Sequence, residues 1–221
     1  MNGQRVISAQ GTYVDSSNAL SDIGNIQPSW YGGINNSFTY KNFSLSFLID
    51  VHQGGQLYSL DMDYGSFSGL YPRTAGLNDL GNPLRLNPAD GGGVILKGIS
   101  QATGKENTVR DWEDLTNGFW TFGSGNGQGA EAQKQFIYSA TYIKLREVAF
   151  TYSIPSKSLE GLHSIKGIDL SLSGRNLWII HKDLPYADPE QGQASGNYSI
   201  GFQNGAYPTM RTLNFIVKVK F

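Results

Sequence analysis

Arg211-Thr212-Leu213-Asn214-Phe215-Ile216-Val217-Lys218-Val219-Lys220-Phe221 is the stretch on which the fold turns. Its odd positions, Leu213, Phe215, Val217, Val219 and Phe221, are apolar, and its even positions are mostly polar. Side chains alternate faces along a strand, so one face is a greasy stripe ending on an aromatic ring. Thr212, Asn214, Lys218 and Lys220 occupy the other. A bacterial outer-membrane barrel closes with such a strand and an aromatic at the membrane boundary, whereas soluble chains usually end in polar, frayed tails. A transmembrane barrel is therefore the first expectation.

Working outward, four further segments alternate over about 10 residues, the length a tilted membrane-spanning strand needs. Trp30 to Tyr40 puts Trp30, Ile34, Phe38 and Tyr40 opposite Asn35, Ser37 and Thr39. After a tight turn at Lys41-Asn42, Phe43 to Val51 sets Phe43, Leu45, Phe47, Ile49 and Val51 against Ser44, Ser46 and Asp50. Tyr142 to Tyr152 changes parity between Leu145 and Val148, and a bulge near Arg146-Glu147 would restore one apolar face. Ile168 to Trp178 sets Ile168, Leu170, Leu172 and Trp178 opposite Asp169, Ser171, Ser173 and Arg175.

Connections alternate between short and long. The Lys41-Asn42 turn and Pro155 to Lys166 are short, whereas residues 52 to 140 and 179 to 206 are long and rich in Gly, Asn and aromatics. Barrels of the outer membrane pair short periplasmic turns with long extracellular loops. Traced back from a periplasmic C-terminus, the two long loops and residues 1 to 29 lie outside the cell. Trp30 and Trp178 then fall at the outer membrane interface, and Tyr40, Phe43, Tyr152 and Phe221 at the inner one, as an aromatic belt requires. The lumen side would carry Ser44, Ser46, Asp50, Ser171, Ser173, Arg175, Asn214, Lys218 and Lys220.

Composition agrees with an all-β chain: 28 Gly, 12 Tyr, 11 Phe and 4 Trp in 221 residues. Net charge of -1 and the lack of a basic tract argue against a nucleic-acid partner. The absence of cysteine removes disulfides and thiol catalysis. No stretch approaches the ~20 apolar residues of a membrane-spanning helix, and the opening residues have no signal-peptide pattern. Residues 30 to 221 are thus expected to be about five C-terminal strands of a larger antiparallel barrel. Five cannot close one, since the smallest have about eight, and alone they would expose two sheet edges and aggregate.

Catalysis finds little support. His52, His163 and His181 follow no metal or triad spacing and read as a strand end, a turn and a loop. Asp61 and Asp63 with Gly65 lack the later ligands of a calcium loop and read as solvated loop carboxylates. Asp111, Glu113 and Asp114, like Asp188 and Glu190, contain the carboxylates a glycosidase needs, but read as a helix-start cluster and a loop turn. Thr108 to Asp111, followed by Trp112 and Leu115, predicts a capped short helix. Gly91-Gly92-Gly93 and Gly123 to Gly127 read as flexible turns, and Gly125 to Ala130 as loop rather than a dinucleotide fingerprint. The 52 to 140 loop offers Tyr58, Tyr64, Tyr71, Trp112, Phe119 and Trp120. Of these, Tyr64, Trp112 and Trp120 are the candidate contacts to a sugar, a peptide or a partner. Neither a cofactor nor a metal is expected.

Several blocks resemble one family in order. They are Gln27-Pro28-Ser29-Trp30-Tyr31-Gly32-Gly33, Phe38 to Leu45, Tyr142-Ile143-Lys144-Leu145-Arg146-Glu147-Val148, Leu172-Ser173-Gly174-Arg175-Asn176-Leu177, Asp188-Pro189-Glu190 and Tyr207 to Thr212. Together they look like the C-terminal barrel portion of the SusC/RagA TonB-dependent outer-membrane transporters of Bacteroidetes. The resemblance implies a ~22-stranded barrel, an N-terminal plug absent here, energy from TonB, and a SusD-like surface lipoprotein partner in glycan or peptide uptake. The terminal assembly signal departs from the family where Ile216 replaces a frequent Gly, leaving Phe215, Val219 and Phe221 to carry it. The other readings are a soluble secreted β-sandwich that binds carbohydrate, with shorter strands, and a secreted glycosidase, for which no carboxylate pair can be located.

Overall fold

A computed structural model describes residues 4–14, 24–111, 136–161, 164–193, 200–203, 205 and 207–221. Trp112, Glu113, Asp114, Phe119, Trp120, His163 and the Gly123 to Ala130 stretch lie outside the described residues. The chain divides into two units, one of Asn25–Gln56, Ser139–Gly201 and Ala206–Phe221, the other of Met1–Gly24, Leu57–Tyr138 and Phe202–Gly205.

The first unit is a single antiparallel sheet of five long strands in sequence order: Trp30–Tyr40, Phe43–Gln53, Tyr142–Ser153, Gly167–Lys182 and Thr212–Lys220. Each of the five alternating segments is a strand, and the fourth outruns its expected end at Trp178 by four residues. Lys41, in the left-handed region at φ 52°, makes the tight turn that fixes the first hairpin's register. That register aligns Phe38, Leu45, Phe150, Leu172 and Phe215 as one row across all five strands. The next row is Tyr40, Phe43, Tyr152, Leu170 and Val217. Rings touch along this face, with Phe43 centred 5.8 Å from Phe150 and 4.8 Å from Tyr152.

The opposite face is polar. Thr39, Ser44, Thr151 and Ser171 form one row, and Ser37, Ser46, Ala149, Ser173 and Asn214 the next. Hydroxyls pair across strands, Thr151 with Ser171 at 2.8 Å, and Ser153 donates to Asp169 at 2.7 Å. Leu48, Ile179 and Ile216 interrupt the pattern. The change of parity in the third strand is resolved as expected. Leu48 pairs with Glu147 and Ile49 with Leu145, so Arg146 is the extra, bulged residue, and Ile143 and Leu145 join the apolar face of Phe150.

The apolar face is not covered by a second sheet: the row from Phe38 to Phe215 is between 39 and 69% exposed at every position. A β-sandwich requires two inner faces in contact. The sandwich reading lacks that contact among the described residues.

In the second unit the long 52–140 connection carries regular structure of its own. Leu60–Phe67 is an α-helix, so the chain is mostly rather than wholly β. Ser59 caps it, its Oγ accepting from the Met62 amide at 3.2 Å and donating to Gln203 Oε1. Asp61 and Asp63 sit in the first helical turn, where the helix dipole favours them. They are not solvated loop carboxylates: Asp63 is buried and accepts from Tyr58, and Asp61 accepts from Gln203. Burial and that carboxylate push the Tyr58 phenol well above its usual range.

Two further readings change. Arg110–Asp111 is a short strand against Val94–Ile95, not a helix start, and Arg110 holds Asp79 in a bidentate pair at 2.7 Å. Gly91-Gly92-Gly93 is a packed turn rather than a flexible one. A Cβ on Gly92 would fall 1.9 Å from the Leu86 carbonyl oxygen. Residues 1 to 29 contribute Val6–Ile7, which pairs in parallel with Ile99–Ser100.

Candidate functional site

The bulge at Arg146 decides what the polar face can do at the end remote from Lys41. Extra residues in a strand redirect side chains. Here Lys144 and Arg146 both reach toward the turn Pro189–Gln193 that follows the fourth strand. Lys144 Nζ donates to Asp188 Oδ1 and Glu190 Oε2, each at 2.6 Å, with its side chain only 2% exposed. Arg146 donates to both Glu190 oxygens, at 2.7 and 3.0 Å, to Asp50 and to Asn176 Oδ1 at 3.0 Å. Asn176 can serve because it adopts φ 50° at the matching irregularity of the fourth strand.

Asp188 is the knot. Besides Lys144 it accepts from the Thr209 hydroxyl at 2.6 Å, the Thr209 amide at 3.2 Å and the Glu190 amide at 3.1 Å. The Asp188-Pro189-Glu190 turn is thereby tied to the second, third and fourth strands and to the segment entering the fifth. Lys182 donates to the Ala187 carbonyl at 2.6 Å and closes the same turn.

Burial pushes the Asp188 carboxyl up, but its bonds from Lys144 and Thr209 outweigh that and hold it below the usual range. Glu190 behaves alike: burial raises it, and Arg146 and Lys144 bring it down further. A glycosidase acid needs a raised pKa. Both carboxylates are instead locked ionised, which supports the loop-turn reading over the catalytic one.

The pH consequence follows from those directions. Groups whose folded-state pKa is depressed stabilise fully above the unfolded carboxylate range, roughly pH 4, and lose that contribution as pH falls through the depressed values. Hydrogen-exchange protection in residues 183–193, taken relative to the intrinsic exchange rate at each pH, is expected to stay constant from pH 7 to 5 and to fall below roughly pH 4. Loss of protection already between pH 7 and 5 would show that the carboxylates do not hold the turn.

Beside the network lies a cleft of roughly 220 Å³ bordered by Lys144, Trp178, Tyr186, Asp188, Thr209 and Arg211. It is smaller than the ~300–1,000 Å³ of drug-sized ligand sites. In the other unit a groove of roughly 960 Å³ is bordered by Leu77, Leu84, Val94, Ile95 and Asn107. Its two asparagine carboxamides are spent on backbone: Asn107 Nδ2 donates to Leu96 and Val109, and Asn78 Nδ2 to Gly91 and Gly93.

The other sequence candidates are scattered. Phe215 and Val219 lie on the apolar face, as do Trp30, Tyr40, Phe43, Tyr152 and Trp178, and Phe221 follows the last strand residue, Lys220, and is exposed. Tyr64 is exposed on its helix. His52 is buried in the second strand, its Nδ1 3.1 Å from the Ala140 carbonyl and its ring stacked on Tyr142. His181 is in the fourth strand, not a loop, beside Asp183. Among the described residues no group of three acidic or histidine side chains converges to hold a metal. Lys144 and Arg146 were absent from the sequence candidates. Their shared parity, opposite Ile143 and Leu145, was the available signal.

The five long strands thus form an open antiparallel meander with one greasy and one wet face, its loop turn pinned to the wet side. No family model matches the chain. It is 25% identical over 206 residues to TonB-dependent receptor P3 of Formosa agariphila, covering 90% of this chain and 17% of that protein. To TonB-dependent receptor P26 of the same organism it is 24% identical, with 100% and 19% covered. Its fold matches the RagAB peptide importer in the closed-closed state with a TM-score of 0.57, 18% identity, and 97% and 20% of the two chains covered. The open-open state gives 0.53, 18% identity, and 89% and 17% covered. Over most of its length the chain is thus similar to TonB-dependent receptors, and in fold to the RagAB importer, and it spans less than a fifth of the length of these curated relatives.

Proposed function

We propose that this chain is C-terminal barrel wall of a TonB-dependent nutrient importer of the Gram-negative outer membrane. The carrying observation is the uncovered apolar row Phe38, Leu45, Phe150, Leu172 and Phe215. In water such a surface favours aggregation, whereas against lipid it costs nothing, and a closed sheet leaves no backbone group unpaired there. The polar face, with Ser171, Ser173 and Asn214, lines the lumen. The remaining wall comes from other strands of the receptor.

The spacing of the aromatic residues supports a tilted wall. Trp178 is in register with Ile34, four positions from Trp30, and Phe221 lies four positions beyond Val217, the row-mate of Tyr40. Four residues span ~13 Å. Strands ~4.8 Å apart and tilted 35–45° stagger by roughly 10–19 Å over three or four strands, so each pair of rings falls at one membrane level. Trp30 and Trp178 thus belong to the outer girdle, and Tyr40, Phe43, Tyr152 and Phe221 to the inner one. Phe215, Val219 and Phe221 serve barrel assembly. The long loops, with Tyr64, Trp112 and Trp120, face outward toward a glycan or peptide and a SusD-like lipoprotein. TonB acts through a plug supplied elsewhere in the receptor.

The chain has no cysteine, which makes the orientation directly testable. In outer membranes carrying the receptor, Ser173→Cys is expected to react with a water-soluble maleimide, and Phe215→Cys to resist it. Equal reactivity of both positions would reject the lipid-facing assignment.

A further inference from the structure

We propose that the sheet end carrying the Lys41-Asn42 turn binds the phosphate headgroups of anionic phospholipid through Lys41, Lys157 and Lys166. The proposal rests on the wall reading, which puts this end at the inner membrane surface.

The cations of the polar face and those at the near rim are held differently. Toward the far end Lys144 and Arg146 are neutralised by Asp50, Asp188 and Glu190, and Lys182 is spent on the Ala187 carbonyl. At the near end Lys220 is paired with Asp169 at 2.9 Å. Lys41, Lys157 and Lys166 are exposed and form no ion pair among the described residues. Glu160 is the one carboxylate among the described residues of the connection 154–166, so a positive excess remains.

Each of the three is held in place. Lys41 sits at φ 52°, and its Nζ lies 5.3 Å over the ring of Tyr40, which belongs to the exposed apolar face. An ammonium laid over an interfacial ring, at the rim of a lipid-facing surface, stands at headgroup depth. Lys157 is carried on the 3-10 turn Ser156–Leu159, anchored by the buried Leu159. Lys166 is fixed through its backbone amide, which donates to the Lys220 carbonyl at 2.7 Å, one residue from Phe221. Three unneutralised ammonium groups beside the ring row of Tyr40, Phe43 and Tyr152 match a layer of phosphates better than an acidic protein partner, which would not need the apolar rim.

The test uses the receptor that carries this chain, reconstituted with spin-labelled phosphatidylglycerol or spin-labelled phosphatidylcholine. The wild-type protein is expected to prefer phosphatidylglycerol in the motionally restricted shell, by up to roughly five-fold per lysine. Molar salt should erase that preference without any substitution, because headgroup pairing is screened. The Lys41→Gln, Lys157→Gln, Lys166→Gln triple variant should bring the ratio near one, while the total restricted lipid stays constant. Equal association of both lipids with the wild type, or a preference that survives in the triple variant, overturns the proposal. Absence of restricted lipid of either kind would overturn the wall reading itself, a distinct result.

Discussion

Lys144→Ala is expected to destabilise the sheet's network by about 3 kcal/mol, the lower part of the range for removing one partner of a buried ion pair. Lys144 bridges Asp188 and Glu190 at 2.6 Å with both partners largely out of water. Alanine would leave the Asp188 carboxylate with the Thr209 hydroxyl and two backbone amides but no cation. Glu190 keeps Arg146, which is why the upper end of the range is not expected. The cost should appear as about a hundredfold faster proteolysis within residues 183–193, since every ~1.4 kcal/mol is tenfold. It should also shrink at acid pH. A carboxylate deprived of its cation takes up a proton more readily, and its neutral form is cheaper to bury. Asp188→Asn combined with Lys144→Ala should therefore cost less than the sum of the two single changes. A penalty under 0.5 kcal/mol, or strict additivity, would mean that Lys144 and Asp188 do not act as a unit.

This network also marks where the sequence stopped being readable. Alternation alone exposed the five strands, because a period of two is written into neighbouring residues, and the parity break between Leu145 and Val148 was enough to position the bulge. Lys144 and Arg146 could be put on one face. Their partners could not, since Asp188 and Glu190 lie more than forty residues on, in a turn beyond the fourth strand that is folded back by Lys182 and Thr209. No local period encodes that. The Leu60–Phe67 helix was hidden for a related reason. Leu-Asp-Met-Asp-Tyr-Gly-Ser-Phe contains two Asp, a Gly and a Ser, all poor helix formers. What sustains it is the Ser59 cap and the grip of Gln203 on Ser59 and Asp61, a residue some 140 positions away. Acidic residues that look solvated in a glycine-rich sequence are then the first turn of a helix.

Leu172→Arg separates lipid from water as the solvent of the apolar face, and its expected cost is about 2–4 kcal/mol. Leu172 is the fourth member of the row from Phe38 to Phe215 and lies five residues from the start of its strand at Gly167, with Phe150 and Phe215 beside it. If that row faced water, an exposed leucine could become arginine within roughly ±0.5 kcal/mol, since nothing buried would be disturbed. If it faces hydrocarbon near the bilayer centre, the guanidinium must be dehydrated or the bilayer must thin around it, and the penalty depends on depth. Ser173→Arg, one residue along, supplies the control. Its side chain would join the polar face beside Ala149 and Asn214, and a charge there should cost under about 1 kcal/mol. Unfolding of the receptor from lipid vesicles by guanidinium is expected to show a large shift for Leu172→Arg and a small one for Ser173→Arg. Equal shifts would remove the distinction between the two faces. In a lipid-facing wall the penalty should also diminish along the face, so that Val219→Arg, near the end of the fifth strand and close to the headgroups, costs clearly less than Leu172→Arg. A penalty independent of depth would point to disturbed packing rather than to the membrane as its source.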